Sequence, residues 1–259
     1  MKICSLHRGH LPLLVSLPHD GSFIPEELSA RMTERARTAP DTDWFVSRLY
    51  GFAMAMGSSV LVPSHSRYVV DLNRPPDDVS LYPGQNTTGL CPIVQFSGEP
   101  VYLEGHELTP VEIGARVESY WRPYHDSLKT ELARLHAEHG RMLLWEGHSI
   151  RSRVPFLFEG QLPDFNLGTA SGASCRPDTQ ARIEAILAAQ SDFSWVVNGR
   201  FKGGHITRHY GRPADGIEAV QLELAQDIYM DEDAVEYLPD RAARVAALIE
   251  RFFEAWLGA

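Results

Sequence analysis

The chain reads as an α/β protein with a mostly parallel sheet. Short apolar runs rich in strand formers alternate with longer stretches of helical spacing, the pattern of strand-helix-strand units. Two of those runs stop at a polar turn carrying a histidine, which is how parallel strands deliver side chains to the carboxyl edge of a sheet. The 259 residues, 44% hydrophobic and 22% charged, suffice for one large core. No repeat, low-complexity tract or linker divides them, so a single domain over 1–259 is expected.

Taken in order, the first run is Leu13 to Leu17, broken by the turn formers Pro18-His19-Asp20-Gly21. The stretch 41–57, "DTDWFVSRLYGFAMAMG", sets Phe45, Leu49, Phe52, Ala53 and Met56 at helical spacing, with Asp41 or Asp43 at its start and Gly57 as its stop. Strands are expected at Ser59 to Pro63 and Tyr68 to Leu72. A long helical region over 109–140 should break near Pro123 and close at Gly140. Further strands follow at Arg141 to Glu146, Ser194 to Val197 and Glu218 to Leu224, with amphipathic helices over 176–190 and 239–258. The segments 74–108 and 149–178 are long, rich in turn residues and flank the polar motifs, which marks them as walls or a lid.

Bulk chemistry narrows the function. A formal charge of −10 argues against a nucleic-acid partner, whose phosphates need a basic face. A small acidic substrate stays open, since clustered arginines can oppose the global sign. No apolar stretch approaches the ~18 residues of a membrane span, and no cleavage site follows the N-terminal apolar run, so a cytoplasmic protein without a membrane partner is expected. Cys4, Cys91 and Cys175 are too scattered for a zinc knot or a disulfide framework. Any metal must therefore be held by histidines and carboxylates. Nothing in the sequence fixes the oligomeric state.

Four clusters carry the chemistry. His19 stands at the end of the first strand. "SRYVVDLNRPPDD" (66–78) offers Arg67, Asn73 and Arg74 around one apolar run, a donor set suited to a carboxylate. "RMLLWEGHSIRSRVPF" (141–156) ends a second strand on His148, with Glu146 two residues earlier on the same side. Neutral imidazoles from two such strand ends can meet above one sheet edge and bind a metal. "IEAVQLELAQDIYMDED" (217–233) embeds Glu223 in an apolar strand, where a carboxylate is costly unless it faces a cleft, so its pKa is open to tuning. Asp231, Glu232 and Asp233 read as a solvated acidic turn.

The motifs "PHDG", "DTDW", "SRYVVDLNRPP", "LYPGQNTTGLCP", "GHSI", "NLGT", "FKGGHITRHYG" and "LELAQDIYM" run in order along nearly the whole chain. Together they resemble the N-formylglutamate amidohydrolase family, the deformylases of histidine degradation. That family is in turn similar to the zinc carboxypeptidases and aspartoacylase. The resemblance implies a three-layer α/β/α sandwich with a mixed, mostly parallel central sheet, of the zinc-carboxypeptidase-like (phosphorylase/hydrolase-like) type. It also implies one divalent metal ion, zinc by preference with manganese or cobalt as alternatives, held by His19, His148 and a carboxylate. In the carboxypeptidases that carboxylate is a Glu three residues after the first His, a position occupied here by Ser22. Asp43 is the expected substitute, ahead of Asp41 and Glu146, and Glu146 is placed behind the metal as an orienting group.

By the same resemblance Glu223 is the general base, Arg67 the oxyanion or substrate arginine, and Asn73 with Arg74 the clamp on a substrate carboxylate. The implied reaction is hydrolysis of N-formyl-L-glutamate to formate and L-glutamate, the last step of a histidine degradation route. A dicarboxylate needs a second anion site, and the glycine-rich "FKGGHITRHYG" (201–211) offers Lys202, Thr207 and Arg208 for it, with Arg208 as the main contact. His205 and His209 of that segment read as loop donors. Two readings compete: a related metal amidohydrolase acting on N-formylaspartate or an N-acylglutamate, and a non-catalytic binder of an acidic metabolite.

Overall fold

Strands whose side chains are apolar on both faces cannot stand at a surface, and this chain supplies several of them at the centre of its sheet. A computed structural model describes residues 2–81, 84 and 86–258. Tyr82, Pro83 and Gln85 of the "LYPGQNTTGLCP" motif lie outside the described residues. The strands of the main sheet are β1 (Cys4–His7), β2 (Leu13–Ser16), β3 (Ser59–Pro63), β4 (Met142–Ile150), β5 (Phe165–Gly168), β6 (Trp195–Val197) and β7 (Ile217–Ala225), in the order β1-β3-β2-β4-β7-β5-β6. β3, β2, β4 and β7 run parallel, β1 is antiparallel to β3, and β5 is antiparallel to β7 while pairing parallel with β6. The sheet is mixed and mostly parallel, as the alternation of elements predicts.

Helices cover both faces. They are α1 (Glu26–Ser29), α2 (Val46–Leu49), α3 (Gly51–Met56), α4 (Pro110–Arg116), α5 (Arg122–His139), α6 (Pro177–Ala188), α7 (His205–Tyr210) and α8 (Pro239–Leu257). Odd and even positions of each central strand divide the core. Leu13, Val15, Leu143, Trp145, Val220 and Leu222 pack with Leu49, Ile183, Phe252 and Phe253 of α2, α6 and α8. Leu14, Met142, Leu144 and Ala219 pack on the opposite side with Leu128, Leu132 and Ile206 of α5 and α7. Each large side chain so buried contributes about 1.5–3 kcal/mol. This period-2 split places a helical layer on each side of the sheet.

Helix boundaries follow local chemistry. Thr109 caps α4 by accepting the Glu112 N–H, with Pro110 at the first turn. The break expected near Pro123 takes the form of a π-helical turn, Val117–Trp121, and Pro123 then sits in the first turn of α5. Gly140 closes α5 at φ 70°.

Two expectations need correction. Tyr68 to Leu72 forms turns, not a strand. The Ser66 hydroxyl accepts the Tyr68 N–H (3.2 Å) and the Asp71 carboxylate accepts that of Asn73 (2.8 Å), so side chains take backbone donors a ladder would need. The segment 201–211, read as a loop, contains helix α7. Strands β1 and β5 were not anticipated, because four-residue runs with polar members carry almost no periodicity.

A buried ionic clamp ties α5 to the sheet. The Glu131 carboxylate accepts from Ser59 Oγ (2.6 Å) at the start of β3 and from Arg134, which also donates to the Gly9 carbonyl (2.8 Å). Burial alone would raise the Glu131 carboxyl, but the hydrogen bonds from Arg134 and Ser59 outweigh it and lower its pKa. A carboxyl lowered on folding stabilises the fold above its unfolded pKa, and that contribution fades as pH falls through the folded value. Glu131→Gln should therefore cost about 1.5–3 kcal/mol at pH 7 and distinctly less near pH 3, measured by urea unfolding at the two pH values. An equal loss at both would show that the charge plays no part.

Candidate active site

The carboxyl ends of three adjacent parallel strands converge. β4 and β7 pair in a register that sets His148 directly opposite Glu223, and β2 leads into the turn carrying His19. Asp43 reaches the same point from the segment before α2, where its N–H bonds the His19 carbonyl (3.1 Å). All four side chains are buried.

His19, Asp43 and His148 present one ligand atom each within 4.8 Å of one another. Both Nδ1 atoms face Asp43 Oδ2, at 3.7 Å for His19 and 2.9 Å for His148. The far nitrogens are equally engaged: His19 Nε2 lies 2.6 Å from Asp71 Oδ1, and His148 Nε2 lies 2.7 Å from Glu146 Oε1. An imidazole whose outer nitrogen donates to a carboxylate is locked in the tautomer that offers its inner lone pair. Burial would lower the His148 pKa, but the Asp43 and Glu146 carboxylates raise it well above the ordinary value. His19 is lowered by burial and by Arg67, against the pull of Asp71 and Asp43. Asp43 is itself lowered, its burial outweighed by the two histidines. A point where carboxylates draw a proton onto a buried ring is a point built for positive charge, and two imidazoles with one carboxylate are a donor set that suits zinc and similar divalent ions. The residues fit the group.

The two alternative carboxylates are committed elsewhere. Glu146 turns one oxygen to His148 and the other to Thr207, from whose N–H it accepts at 3.0 Å and whose hydroxyl it also binds. Asp41 accepts from the Tyr68 hydroxyl (2.6 Å) and from the N–H of Phe96 (2.8 Å). The Phe96 ring lies 4.8 Å from the Arg67 guanidinium carbon, so Asp41 fixes the surface on which that arginine rests.

Asp71, fully buried, is the centre that sequence reasoning missed. It joins His19 to Arg67 Nη2 (2.7 Å), accepts the Asn73 N–H, and lies 3.9 Å from Arg74 Nε. His19 and Arg67 hold its carboxyl well below the usual range despite burial. Its position four residues after Arg67 and three before Arg74 was the available signal. Arg67 Nε is buried with no hydrogen-bond partner among the described residues, a donor left for a ligand.

His19, Arg67, Asp71, Asn73, Arg74, His148 and Glu223 line one cavity, joined by Phe96, Ile150, Leu157, Arg200 and Gln221. Burial pushes the Glu223 carboxyl up to about 8, with Asp43 and Glu146 adding to the rise and His148 and Arg67 opposing it. Gln221 Nε2 approaches Glu223 at 3.4 Å and its Oε1 accepts the Gly204 N–H at 2.7 Å. Thr207, Lys202 and Arg208 are not among the described lining residues. Thr207 supports Glu146, the Lys202 carbonyl accepts the Ala170 N–H (2.6 Å), and Arg208 Nε donates to the Gly203 carbonyl (2.8 Å).

Asn73 is gripped from behind by the start of α7: its Oδ1 accepts the Ile206 N–H (2.9 Å), and its Nδ2 sits 3.0 Å from His148 Nε2. Because the His148 Nε2 proton goes to Glu146 and Asn73 Nδ2 is itself a donor, that amide is held at the cavity wall by geometry more than by this contact. A Cβ on Gly204 would collide with the Asn73 side-chain amide. Gly204→Ala should therefore displace the Asn73 amide and lower kcat/KM by roughly 10–100-fold while leaving metal content intact, read by steady-state kinetics and elemental analysis. Unchanged kinetics would remove Asn73 from the substrate clamp.

The chain is similar to known proteins over nearly its whole length. The family model for N-formylglutamate amidohydrolase matches residues 11–230. The N-formylglutamate deformylase of Pseudomonas aeruginosa is 52% identical over 257 residues, 99% of this chain and 96% of that protein. That of Pseudomonas putida is 49% identical over the same shares. Among solved structures, an N-formylglutamate amidohydrolase from Ralstonia eutropha superposes with a TM-score of 0.83 at 24% identity, covering 98% of this chain and 97% of that one. A gene product of Agrobacterium tumefaciens does so with a TM-score of 0.74 at 18% identity, over 99% and 95%, and both share the fold. With the family model spanning most of the sheet and half of all residues matched in full-length relatives, the chain belongs to the N-formylglutamate amidohydrolase family.

Proposed function

We propose that the protein hydrolyses N-formyl-L-glutamate to formate and L-glutamate with the help of one divalent cation, a reaction fitted to the end of a histidine degradation route. The observation that carries the reading is the buried His19-Asp43-His148 group opening onto a cavity that also holds Glu223 and Arg67. A non-catalytic binder would have no use for a buried carboxyl raised to about 8 beside such a group.

His19, His148 and Asp43 would hold the cation, zinc by preference given two imidazoles and a carboxylate. A bound divalent cation supplies Lewis acidity, polarising the formyl oxygen and easing deprotonation of water. Glu223 takes the proton of the attacking water and returns it to the departing nitrogen. Arg67, braced by Asp71 and the Phe96 ring, donates to the oxygen on which negative charge develops. Asn73 and Arg74 hold one substrate carboxylate. Glu146 and Asp71 keep the two imidazoles turned inward.

The test is release of glutamate from N-formyl-L-glutamate before and after chelation, with zinc, manganese or cobalt added back. N-formylaspartate and N-acetylglutamate run alongside. Metal-restored release is expected; no release with any metal would sink the reading.

A further inference from the structure

We propose that Arg200 binds the second carboxylate of the substrate and sets the preference for dicarboxylic N-formyl amino acids, an inference that rests on the reading of function above. A dicarboxylate brings two negative charges into one cavity. The described arginines lining that cavity are Arg67, Arg74 and Arg200. The first two belong to one short segment and share the Asp71 carboxylate, so they sit together at the end occupied by His19 and His148.

Arg200 comes from a different part of the chain, the turn after β6, and meets the cavity from another wall. Its Nε donates to the Leu157 carbonyl (3.1 Å) and its Nη2 to the Asn86 carbonyl (2.9 Å), one from each of the two long loops. Asn86 in turn donates through its side chain to the Phe156 carbonyl (3.0 Å), so the loops are fastened to each other where the guanidinium sits. The Leu157 and Asn86 carbonyls orient the Arg200 guanidinium, whereas Arg67 and Arg74 both face Asp71. Leu157, Ile150 and Phe96 form an apolar stretch of the same cavity, suited to the methylene groups that separate two carboxylates. A planar fork fixed in advance pays little entropy when it meets a carboxylate. Arg208, the sequence-based candidate for this role, bonds the Gly203 carbonyl from α7 and is not among the described lining residues.

The experiment compares kcat/KM for N-formyl-L-glutamate and for its isostere with a neutral side chain, N-formyl-L-glutamine, in wild type, Arg200→Ala, Arg200→Lys and Arg208→Ala, with thermal unfolding confirming that each variant folds. Wild type should prefer the diacid by ~10²–10⁴-fold, because a charged site rejects strongly an analogue that brings an uncharged group to it. In R200A that ratio should fall to within ~10-fold, mainly through KM, and R200K should recover part of it as a single positive charge without the fork. A ratio preserved in R200A overturns the inference. So does a ratio lost in R208A while R200A keeps it, which would return the carboxylate to α7. Wild-type protein inert toward N-formyl-L-glutamate would instead sink the functional reading, and the two failures are told apart by the first row of data.

Discussion

Glu223→Gln is expected to lower kcat for N-formyl-L-glutamate by about 10²–10⁴-fold, with KM changed only slightly and metal content unchanged, because the substitution removes a proton acceptor while keeping shape. The strand should tolerate it. The Glu223 carbonyl accepts from Asn166 (3.2 Å), and the register opposite His148 is a backbone property. Compared in the metal-free state, the variant should be more stable than wild type. A carboxyl raised on folding, here to about 8, binds its proton more tightly in the folded state. Stability then falls with pH between the unfolded and folded pKa values, and glutamine abolishes that loss. A more stable but inactive variant is the signature of a group kept for chemistry at a cost to the fold. The acid limb of kcat/KM should also disappear from whatever activity remains. In the wild type that limb should lie at or below about 8, since a neighbouring cation favours the carboxylate. Normal turnover by E223Q, with or without greater stability, would remove Glu223 from the role of base.

What could be read in advance divides by the range over which the physics acts. The central strands were legible because Leu13 to Leu17, Arg141 to Glu146 and Glu218 to Leu224 are short, mostly apolar runs bounded by turn residues, and that pattern is local. Their terminal polar residues, His19, His148 and Glu223, were legible for the same reason: each stands out against an apolar background. Asp43 was reached through the family resemblance, and the structure sets it beside both histidines. The far wall of the cavity was harder to read. Lys202, Thr207 and Arg208 share a glycine-rich segment, and composition alone cannot say that the segment coils into α7 and turns Thr207 toward Glu146. Arg200, a few residues earlier, has no local feature that distinguishes it; its place depends on two loops distant in sequence. Asp71 escaped notice because it was read as part of a strand, where its side chain would not face His19.

Asp43→Asn and His148→Ala should each abolish measurable binding of the divalent ion and reduce hydrolysis to background, whereas Glu146→Gln should weaken the metal by only ~10–100-fold. The difference in rank follows from what each oxygen touches. Asp43 Oδ2 faces the inner nitrogen of both rings and accepts the Ser149 N–H (3.1 Å), so the amide that replaces it has no equivalent charge to offer a cation. Glu146 acts from behind, on His148 Nε2 and Thr207, and a glutamine oxygen can still accept the imidazole proton. Elemental analysis of purified protein and titration of the apo form give the affinities without recourse to activity. Thermal unfolding gives a further check. An ion that binds only the folded state raises the melting temperature, so chelation should lower it in wild type and in E146Q but leave D43N unmoved. If D43N keeps its metal while E146Q loses it, Glu146 is the ligand and Asp43 the orienting group, which would exchange the two carboxylates without disturbing the histidines. If chelation leaves wild-type activity and melting temperature untouched, no cation belongs there, and the carboxylates around His148 serve to hold an imidazolium instead.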